Sequence, residues 1–386
     1  MSSIYFDHAA TTPVDQRVLD EILPYFTQKF GNASSAHQFG RDTKVAMEDA
    51  RELIAELIGA EPSEIIFTSG GTESDNAAIK GVVNATRKKE VITSPIEHHA
   101  VIHPAESLKM KGCRITYLQP DSDGLISPGQ VADAISDETA IVSLMHVNNE
   151  IGTILPVKEI AEVCREKKVP FHSDTVQSVG KLPVNVADLG VDLLSISAHK
   201  IYGPKGIGVL YVRNGTPWIP WLQGGSQERR RRGGTSNVTG IVGMAKALEL
   251  AISEMDENHA HYQNLKNALL EGLESNFKGR YQVNGNIDNS VPNITNICFK
   301  TADGKGLDGE MLLLNLDIDG ICVANGSACT SGAVEPSHVL KSIGLPDYLA
   351  NSSIRISFGK SNTTEQVQYF IEKLDGVLNR MTPVES

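Results

Sequence analysis

The sequence is short of positive charge and has no long apolar run. Asp and Glu number 47 against 35 Lys and Arg, which gives a formal net charge of −12. Such a surface repels the phosphates of nucleic acids. No apolar run approaches the roughly 20 residues of a membrane helix, and the start MSSIYFDHAA lacks the basic and apolar regions of a signal peptide. We therefore expect a cytoplasmic protein with no nucleic-acid or membrane partner.

Cysteine is also scarce, and no CxxC pair occurs. This spacing fits neither a zinc ribbon nor a disulfide framework and is typical of a reducing compartment. Cys298 and Cys322 lie in apolar strand contexts and are expected in the core. Cys329 lies in ANGSACTSGA (324–333), among small residues that predict an exposed thiol. Composition leaves open whether that thiol is reactive or of no consequence.

Aromatic residues are few as well, at 5%, but 40% hydrophobic residues and 34 glycines are typical of an α/β enzyme with many turns. Apolar or β-branched runs alternate with helical patterns, which predicts a doubly wound, mostly parallel sheet with helices on both faces. The predicted strands are Glu64–Phe67, Val91–Thr93, Arg114–Leu118, Ala140–His146, Val169–His172, Asp192–Ile196 and Gly208–Val212.

The length of 386 residues suggests two domains. A long helical pattern over 239–278, kinked near Asp256, precedes a change to short strands interspersed with helices, an α+β arrangement. We place the junction there. The large cofactor-binding domain is predicted over 16–257, and a smaller domain with the mobile cysteine loop over 1–15 and 258–386.

One lysine stands at the end of a predicted strand, in SISAHKIYGPKGIG (195–208). Strand ends are where α/β proteins place their chemistry. Ser197 and His199 flank Lys200, and hydroxyl and imidazole donors beside a lysine suit a cofactor that carries a phosphate and bonds covalently to the amine. The pattern indicates pyridoxal phosphate, although a lone surface lysine is the ordinary alternative. The turn has no GK[ST] and precedes a strand, which excludes a P-loop.

Two further positions suit the same cofactor. Asp174 ends the strand before that of Lys200, where a carboxylate can hold a proton on a pyridine nitrogen, and Gln177 follows it. The alternative is that Asp174 caps a helix. Thr72 follows the pair Gly70 and Gly71 and opens a helix, where backbone N–H groups favour a phosphate. With Asp75, Thr72 also resembles a capping box.

Histidines and arginines supply the remaining candidates. His98 follows a strand and can stack on a planar cofactor. Together with His99 and His103 it could suggest a metal, but no carboxylate or cysteine set accompanies them, so no metal is expected. The run Arg229–Arg232 is interpreted as a local anion or carboxylate site in an otherwise acidic chain.

Together these pieces resemble the NifS/IscS-type cysteine desulfurases, members of the class V aminotransferase family within the fold-type I pyridoxal phosphate enzymes. The resemblance runs over essentially the whole chain, in the family's order. The matching motifs are YFDHAATTP, GNASSAH (31–37), FTSGGTESDN (67–76), EHHAV (97–101), NNEIG (148–152), HSDTVQSVGK (172–181), SAHKIYGPKGIG, RRGGTSNVTGIVG (231–243), GSACTSG (326–332), EPSHVL (335–340) and SSIRISFGK (352–360).

The resemblance implies a role for each candidate. The catalytic residues would be Lys200, which carries the cofactor, Cys329, which accepts the sulfur, and His98. Arg355 would bind the substrate carboxylate, with Asn149 beside it. The other implied cofactor contacts are Asp174 to the pyridinium, Gln177 and Asn149 to the ring hydroxyl region, His98 stacked on the ring, Gly71, Thr72, Ser197 and His199 at the phosphate, and Thr235 at the phosphate of a partner subunit.

The implied activity converts L-cysteine and an acceptor thiol to L-alanine and a persulfide, which supplies sulfur for iron–sulfur cluster assembly. Lys200 would take the Cα proton and the Cys329 thiolate would attack the substrate sulfur. The implied partners are a second copy of the chain and an iron–sulfur scaffold protein or other acceptor. The alternatives are a selenocysteine lyase-type enzyme and a catalytically silent interaction protein on such a scaffold. An aminotransferase would leave Cys329 unexplained.

Three features depart from the family pattern, and one is the glycine-rich triplet before the Gln-Glu-Arg segment, which reads Gly224-Gly225-Ser226. Thr175 follows Asp174 where the family usually has alanine against the ring, so ring tilt or affinity is expected to differ. The chain also ends at 386 without the longer tail with which IscS-type members dock the scaffold, which bears on the choice of partner rather than on the chemistry.

Overall fold

The computed structural model describes residues 3–301, 304–326, 329–330, 333–334 and 336–381. The strands are β1 Ile4–Tyr5, β2 Ile65–Thr68, β3 Glu90–Thr93, β4 Arg114–Tyr117, β5 Thr139–Ser143, β6 Phe171–Asp174, β7 Leu193–Ser197, β8 Gly208–Val212, β9 Tyr281–Asn284, β10 Ile294–Phe299, β11 Ile321–Cys322, β12 Cys329–Thr330, β13 Ala333–Val334 and β14 Ser353–Ser357.

Helices follow most of these strands. They are α1 Gln16–Ile22, α2 Pro24–Thr27, α3 Gln38–Ile58, α4 Gly71–Thr86, α5 His99–Ser107, α6 Pro128–Ala134, α7 Val157–Glu166, α8 Val186–Leu189, α9 Val238–Ser253, α10 Met255–Phe277, α11 Gly309–Ile318, α12 His338–Ser342, α13 Asp347–Asn351 and α14 Thr364–Met381. Among the helices in the described ranges, none has the length and apolar character that crossing a bilayer requires.

The main sheet has the order β2-β8-β7-β6-β5-β3-β4, with β8 antiparallel to both neighbours and every other pair parallel. Both faces are buried. Ile141 and Leu193 pack with α4 and α5 on one face, whereas their neighbours Val142 and Leu194 pack with α3, α7 and α9 on the other. Successive strand residues point to opposite faces, so both must be apolar when helices cover both. The predicted doubly wound α/β fold is confirmed.

A second, antiparallel sheet has the order β14-β10-β9. It shares a hydrophobic core with α10, α11 and α14. The N-terminal arm joins this core, because Phe6 contacts Phe358 and Phe370 with ring centroids 5.3 and 6.3 Å apart. The long helical pattern is broken at Glu254, which ends α9 and begins α10, close to the predicted kink. The domain division at this break stays a prediction.

Two local predictions are wrong. The strand expected over Ala140–His146 ends at Ser143, and the backbone beyond it turns toward the cavity described below. Thr72 and Asp75 do not form a capping box, because α4 begins at Gly71 and no side chain caps it.

A buried ion pair fastens the segment after β8 to α3. Two 2.9 Å hydrogen bonds join the guanidinium of Arg51 to the carboxylate of Glu228, which also accepts from the backbone N–H of Phe67 at 3.0 Å. The two side chains are 2% and 4% exposed. Because water cannot solvate this carboxylate, its negative charge is stabilised mainly by the guanidinium of Arg51.

Replacing Arg51 by methionine should therefore lower the free energy of unfolding by about 3–5 kcal/mol, since it leaves the Glu228 carboxylate buried and unpaired. Urea unfolding measures the loss. The matched control is Lys278→Met, which breaks an exposed pair with Glu274 and should have no measurable effect. Equal stability of the two variants would contradict the assignment.

Candidate active site

A cavity of about 390 Å³ opens where β6 and β7 end. Most of the residues singled out in the sequence line it together. These are Gly71, Thr72, His98, Asn149, Asp174, Gln177, Ser197, His199, Lys200 and Arg355. Thr235, which is described, does not line it, and the side chain of Cys329 lies outside the described residues. The carboxyl ends of neighbouring parallel strands meet at one sheet edge, which is why residues far apart in sequence converge here.

Lys200 lies in a single 3-10 turn, Ala198–Lys200, directly after β7. Its Nζ donates hydrogen bonds to the carbonyl oxygens of Ala9 at 2.5 Å and Ala10 at 2.8 Å. Burial, with the nearby charge of Arg355, lowers the pKa of Lys200 to about 8. The amine is thus more readily neutral, and hence nucleophilic, than an ordinary surface lysine.

Asp174 is the last residue of β6 and is 8% exposed. Its Oδ1 accepts a hydrogen bond from the N–H of Val176 at 2.9 Å. A turn rather than a helix follows, so the helix-cap alternative is wrong. Burial raises the pKa of Asp174 to about 6, and the charge of Lys200 opposes that rise. A cation beside this carboxylate would stabilise its ionised form.

Asp75, which the sequence pattern assigned only to a capping box, also lines the cavity. Its Oδ1 lies 3.5 Å from Nε2 of His172, and the same nitrogen is 3.0 Å from Oγ of Ser195. Burial, and then the charge of Asp174, raises the pKa of Asp75 well above its usual value. Burial lowers the pKa of His172 to about 3, so its ring is neutral. Helical spacing was the available signal, because Asp75 lies nearly one turn after Thr72.

The N-terminus of α4 forms one wall of the cavity. Gly70 has a φ of 148°, which residues with a side chain rarely adopt. A Cβ at Gly208 would lie 2.7 Å from the Cα of Gly70, so the two glycines let β8 and the start of the helix approach closely. The unpaired N–H groups of this first turn, with Thr72 and Ser197 beside them, form a site suited to an anion.

His199 also lines the cavity. Its Nδ1 lies 3.1 Å from the hydroxyl of Thr11 in the N-terminal arm. Burial, with the charges of Lys200 and Lys205, lowers the pKa of His199 to about 4. The ring is therefore neutral at pH 7 and can supply one hydrogen-bond donor.

Two side-chain amides project polar atoms that lack a partner within the described residues. These atoms are Oδ1 of Asn149 and Oε1 of Gln177, and both are buried. The other end of Gln177 is fixed, because its Nε2 donates to the carbonyl of Ala9 at 2.9 Å. Buried polar atoms are nearly always hydrogen-bonded in folded proteins. These two atoms therefore suit a polar ligand in the cavity.

His98 caps α5, because its Nδ1 accepts from the N–H of Ala100 at 3.1 Å. Burial, with the charge of Lys200, lowers the pKa of His98 to about 4, so the ring is neutral with its proton on Nε2. His99 stacks on His103 with ring centroids 4.7 Å apart. Within the described ranges, no group of three or more His, Cys, Asp or Glu side chains is arranged to hold a metal ion.

Arg355 lies on β14 and reaches the cavity from the second sheet. Its Nη1 donates to the carbonyl of Asn149 and its Nη2 to Oδ1 of Asp7, both at 2.8 Å. The side chain is 10% exposed. A guanidinium held on two sides by backbone and carboxylate keeps its remaining in-plane N–H groups ordered for a carboxylate ligand.

Thr235 is exposed in the loop before α9. The arginine run holds this loop to the chain's own carboxylates and carbonyls. Arg232 pairs with Glu73 through bonds of 2.9 and 3.1 Å, and Arg229 pairs with Glu48 at 3.0 Å. The predicted carboxylate site is therefore intramolecular.

Only the backbone of Cys329 falls within the described residues, where it pairs with Val334 between β12 and β13. Its side chain lies outside them. Cys298 is buried as expected, and burial raises its pKa to about 11. The expectation that Cys322 is in the core is wrong, because its side chain is partly exposed and lies 3.8 Å from Oδ1 of Asp317.

Comparison with known proteins gives one consistent family. The family described as Aminotransferase class-V matches residues 4–370. "Cysteine desulfurase IscS" of Dictyoglomus turgidum is 48% identical over 99% of this chain and 96% of its own length. "Putative cysteine desulfurase IscS 1" of Bacillus subtilis is 46% identical over 99% and 100%.

Solved structures agree. One described as "NIFS-LIKE PROTEIN" superposes with a TM-score of 0.90 at 39% identity, over 98% of this chain and all of that one. Another, "SspA in complex with cysteine", gives a TM-score of 0.81 at 38% identity over 92% of this chain and 99% of that one.

Proposed function

The chain belongs to the class V aminotransferase family, and we propose that it is a cysteine desulfurase whose cavity binds pyridoxal phosphate. The observation that carries the proposal is that Lys200, Asp174 and Arg355 line one cavity in a chain 48% identical to a named cysteine desulfurase over nearly its whole length. This arrangement does not favour a catalytically silent interaction protein, which would have no need of it.

The residues of the cavity fit the cofactor. The first turn of α4, with Gly71, Thr72, Ser197 and His199, would hold the phosphate. The unpartnered amide oxygen atoms of Asn149 and Gln177 would face the ring hydroxyl. The other expected contacts are Asp174 at the pyridine nitrogen, His98 against the ring and Lys200 as the point of covalent attachment.

When bound, pyridoxal phosphate supplies an electron sink for bonds broken at the substrate's Cα. Arg355 binds the carboxylate of L-cysteine and orients it. Lys200, as a neutral amine, removes the Cα proton, and Asp174 holds the proton on the pyridine nitrogen. Once Lys200 has taken this proton and become an ammonium, the ring of His98 remains neutral beside it, because burial lowers the pKa of His98 to about 4.

Cys329 then accepts the sulfur. Its thiolate forms a bond to the substrate Sγ while the substrate's Cβ–Sγ bond breaks, and the electron pair of that bond returns to carbon. Protonation of Cβ and return of the proton from Lys200 to Cα give L-alanine, and the sulfur remains on Cys329 as a persulfide. An acceptor thiol, on a protein of iron–sulfur cluster assembly, takes it over.

The test is to mix the purified, cofactor-loaded protein with L-cysteine and a reducing thiol, and to assay alanine and sulfide together. Equal amounts of the two products are expected. Alanine formed from L-selenocysteine but not from L-cysteine would contradict the proposal and favour the selenocysteine lyase-type enzyme.

Loading of the cofactor should depend on the protonation of Lys200. The neutral amine is the nucleophile, and the pKa of Lys200 is about 8. The initial rate of covalent attachment of pyridoxal phosphate to the apoprotein should therefore rise with pH, with a midpoint near 8. Absorbance measured from roughly pH 6 to 10 follows it. A midpoint at the pKa of an ordinary lysine would contradict the lowered pKa of Lys200.

The active form is a homodimer in which Thr235 completes the phosphate site of the other subunit. Thr235 is exposed on a loop fastened by Arg232, so it is available to a second chain. An apolar surface supports the dimer, since Phe26, Phe30 and Phe39 are 62%, 64% and 51% exposed.

Sedimentation at assay concentrations should give a dimer. Thr235→Ala should weaken the affinity for pyridoxal phosphate, and the variant should remain a dimer. An active monomer would contradict this arrangement.

A further inference from the structure

Hydrogen bonds of the buried Asn148 side chain stabilise the turn at residues 148–152 (NNEIG). Oδ1 of Asn148 accepts hydrogen bonds from the N–H groups of Glu150 and Ile151 at 2.9 and 3.0 Å, and its Nδ2 donates to the carbonyl of Ile96 at 2.9 Å. The side chain of Asn148 is fully buried. The direction in which Glu150 projects is therefore fixed by the turn.

The carboxylate of Glu150 meets the chain that follows Cys329. The hydroxyl of Ser337 donates to Oε2 of Glu150 at 2.5 Å, and both residues are buried. The same hydroxyl accepts from the N–H groups of Val339 and Leu340, each at 3.2 Å, and so caps α12. Glu150 is thereby bonded to the start of that helix.

The same carboxylate also abuts the chain that precedes Cys329. A Cβ at Gly326 would lie 2.0 Å from Oε2 of Glu150 and 2.9 Å from Cβ of Ser337. Only a glycine fits there without displacing one of them. The two sides of the Cys329 segment, Gly326 and Ser337, thus converge on one carboxylate oxygen.

The chain just before Gly326 is also bonded to Arg355, which lines the cavity. Ala324 exchanges backbone hydrogen bonds of 2.6 and 3.2 Å with Arg355. The side chain of Arg355 in turn donates to the carbonyl of Asn149, the residue before Glu150. One turn therefore contacts the cavity, the arginine and both sides of the segment that carries Cys329.

We propose that Glu150 is a positioning residue of the reaction, which closes the base of the segment carrying Cys329 and so fixes how far its thiol can lie from the substrate. This inference rests on the proposed role of Cys329. Cys329 is three residues beyond Gly326, a span of at most about 10 Å. Loss of the Glu150 contacts lengthens the chain between its fixed points, so the effective concentration of the thiol at the substrate falls.

Three variants test the proposal. Glu150→Ala removes both contacts, whereas Glu150→Gln keeps an oxygen that can accept from Ser337. Gly326→Ala forces a methyl group against the carboxylate while leaving Glu150 in place. We expect Glu150→Ala and Gly326→Ala to lower kcat for alanine release roughly tenfold or more, with KM for L-cysteine nearly unchanged. Glu150→Gln should stay close to the parent protein.

A second readout does not depend on catalysis. In the apoprotein, hydrogen exchange of peptides covering 324–340 should accelerate in Glu150→Ala and not in Glu150→Gln. Gly326→Ala should lower kcat by a smaller factor in the Glu150→Ala background than in the parent protein, because the clash with the carboxylate is already relieved.

A raised KM with unchanged kcat, unchanged hydrogen exchange in Glu150→Ala, or an unaffected Glu150→Ala would each overturn the proposal. Cys329→Ser measured in parallel keeps the two hypotheses apart. If Cys329→Ser still produces alanine, the function of Cys329 is wrong; if it does not and Glu150→Ala is normal, only the role of Glu150 is wrong.

Discussion

Cys329→Ser should still bind L-cysteine and change the absorbance of the bound cofactor, yet release almost no alanine. The cavity residues that bind and deprotonate the substrate, Arg355 and Lys200, are intact in this variant. A hydroxyl cannot replace the thiolate that accepts the sulfur, because it is a far weaker nucleophile toward sulfur at neutral pH. The loss should be at least about 10³-fold in alanine formation. Alanine by chromatography and the absorbance change in a stopped-flow instrument separate the two stages.

The matched control is Cys298→Ser. That thiol is buried in β10 and has a pKa raised to about 11, so it is protonated and inaccessible at neutral pH. The variant should lose stability rather than activity. Near-full alanine production by Cys329→Ser would show that the sulfur leaves by another route and would favour the lyase-type reaction.

Lys200→Ala should abolish covalent attachment of pyridoxal phosphate and lower alanine formation by at least about 10³-fold, because the variant lacks both the attachment point and the base that removes the Cα proton. Borohydride reduction of the parent protein should fix the cofactor on the peptide that contains Lys200. Mass spectrometry of the digest identifies that peptide.

Lys205 provides the control for that experiment. It is exposed and close in sequence, but it does not line the cavity. Lys205→Ala should retain the reduced label and most of the activity. A label on Lys205, or a Lys200→Ala protein that still loads the cofactor covalently, would overturn the assignment of Lys200.

The sequence predicted the sheet and its reactive edge well. The strand predicted over Gly208–Val212 has the same bounds in the structure, and the break between α9 and α10 lies close to the predicted kink. Both follow from local patterns in the sequence. Lys200 and Asp174 could be placed at strand ends for the same reason.

The contacts between distant segments could not be predicted in this way. Lys200 donates to Ala9, 191 positions away in sequence, and Ser337 donates to Glu150, 187 positions away. Neither the periodicity of apolar residues nor the spacing of motifs predicts which loops meet at a sheet edge. Asp75 was misassigned for a related reason, because a polar residue in a first helical turn usually serves the helix, whereas this one is buried beside Asp174.

The measurement that tests the account most directly is a single turnover with one equivalent of L-cysteine and no acceptor, followed by alkylation and peptide mapping. We predict one sulfur atom added to the peptide that contains Cys329, in an amount equal to the alanine formed. Alanine formed with no sulfur on Cys329, or sulfur carried by Cys298 or Cys322 instead, would contradict it.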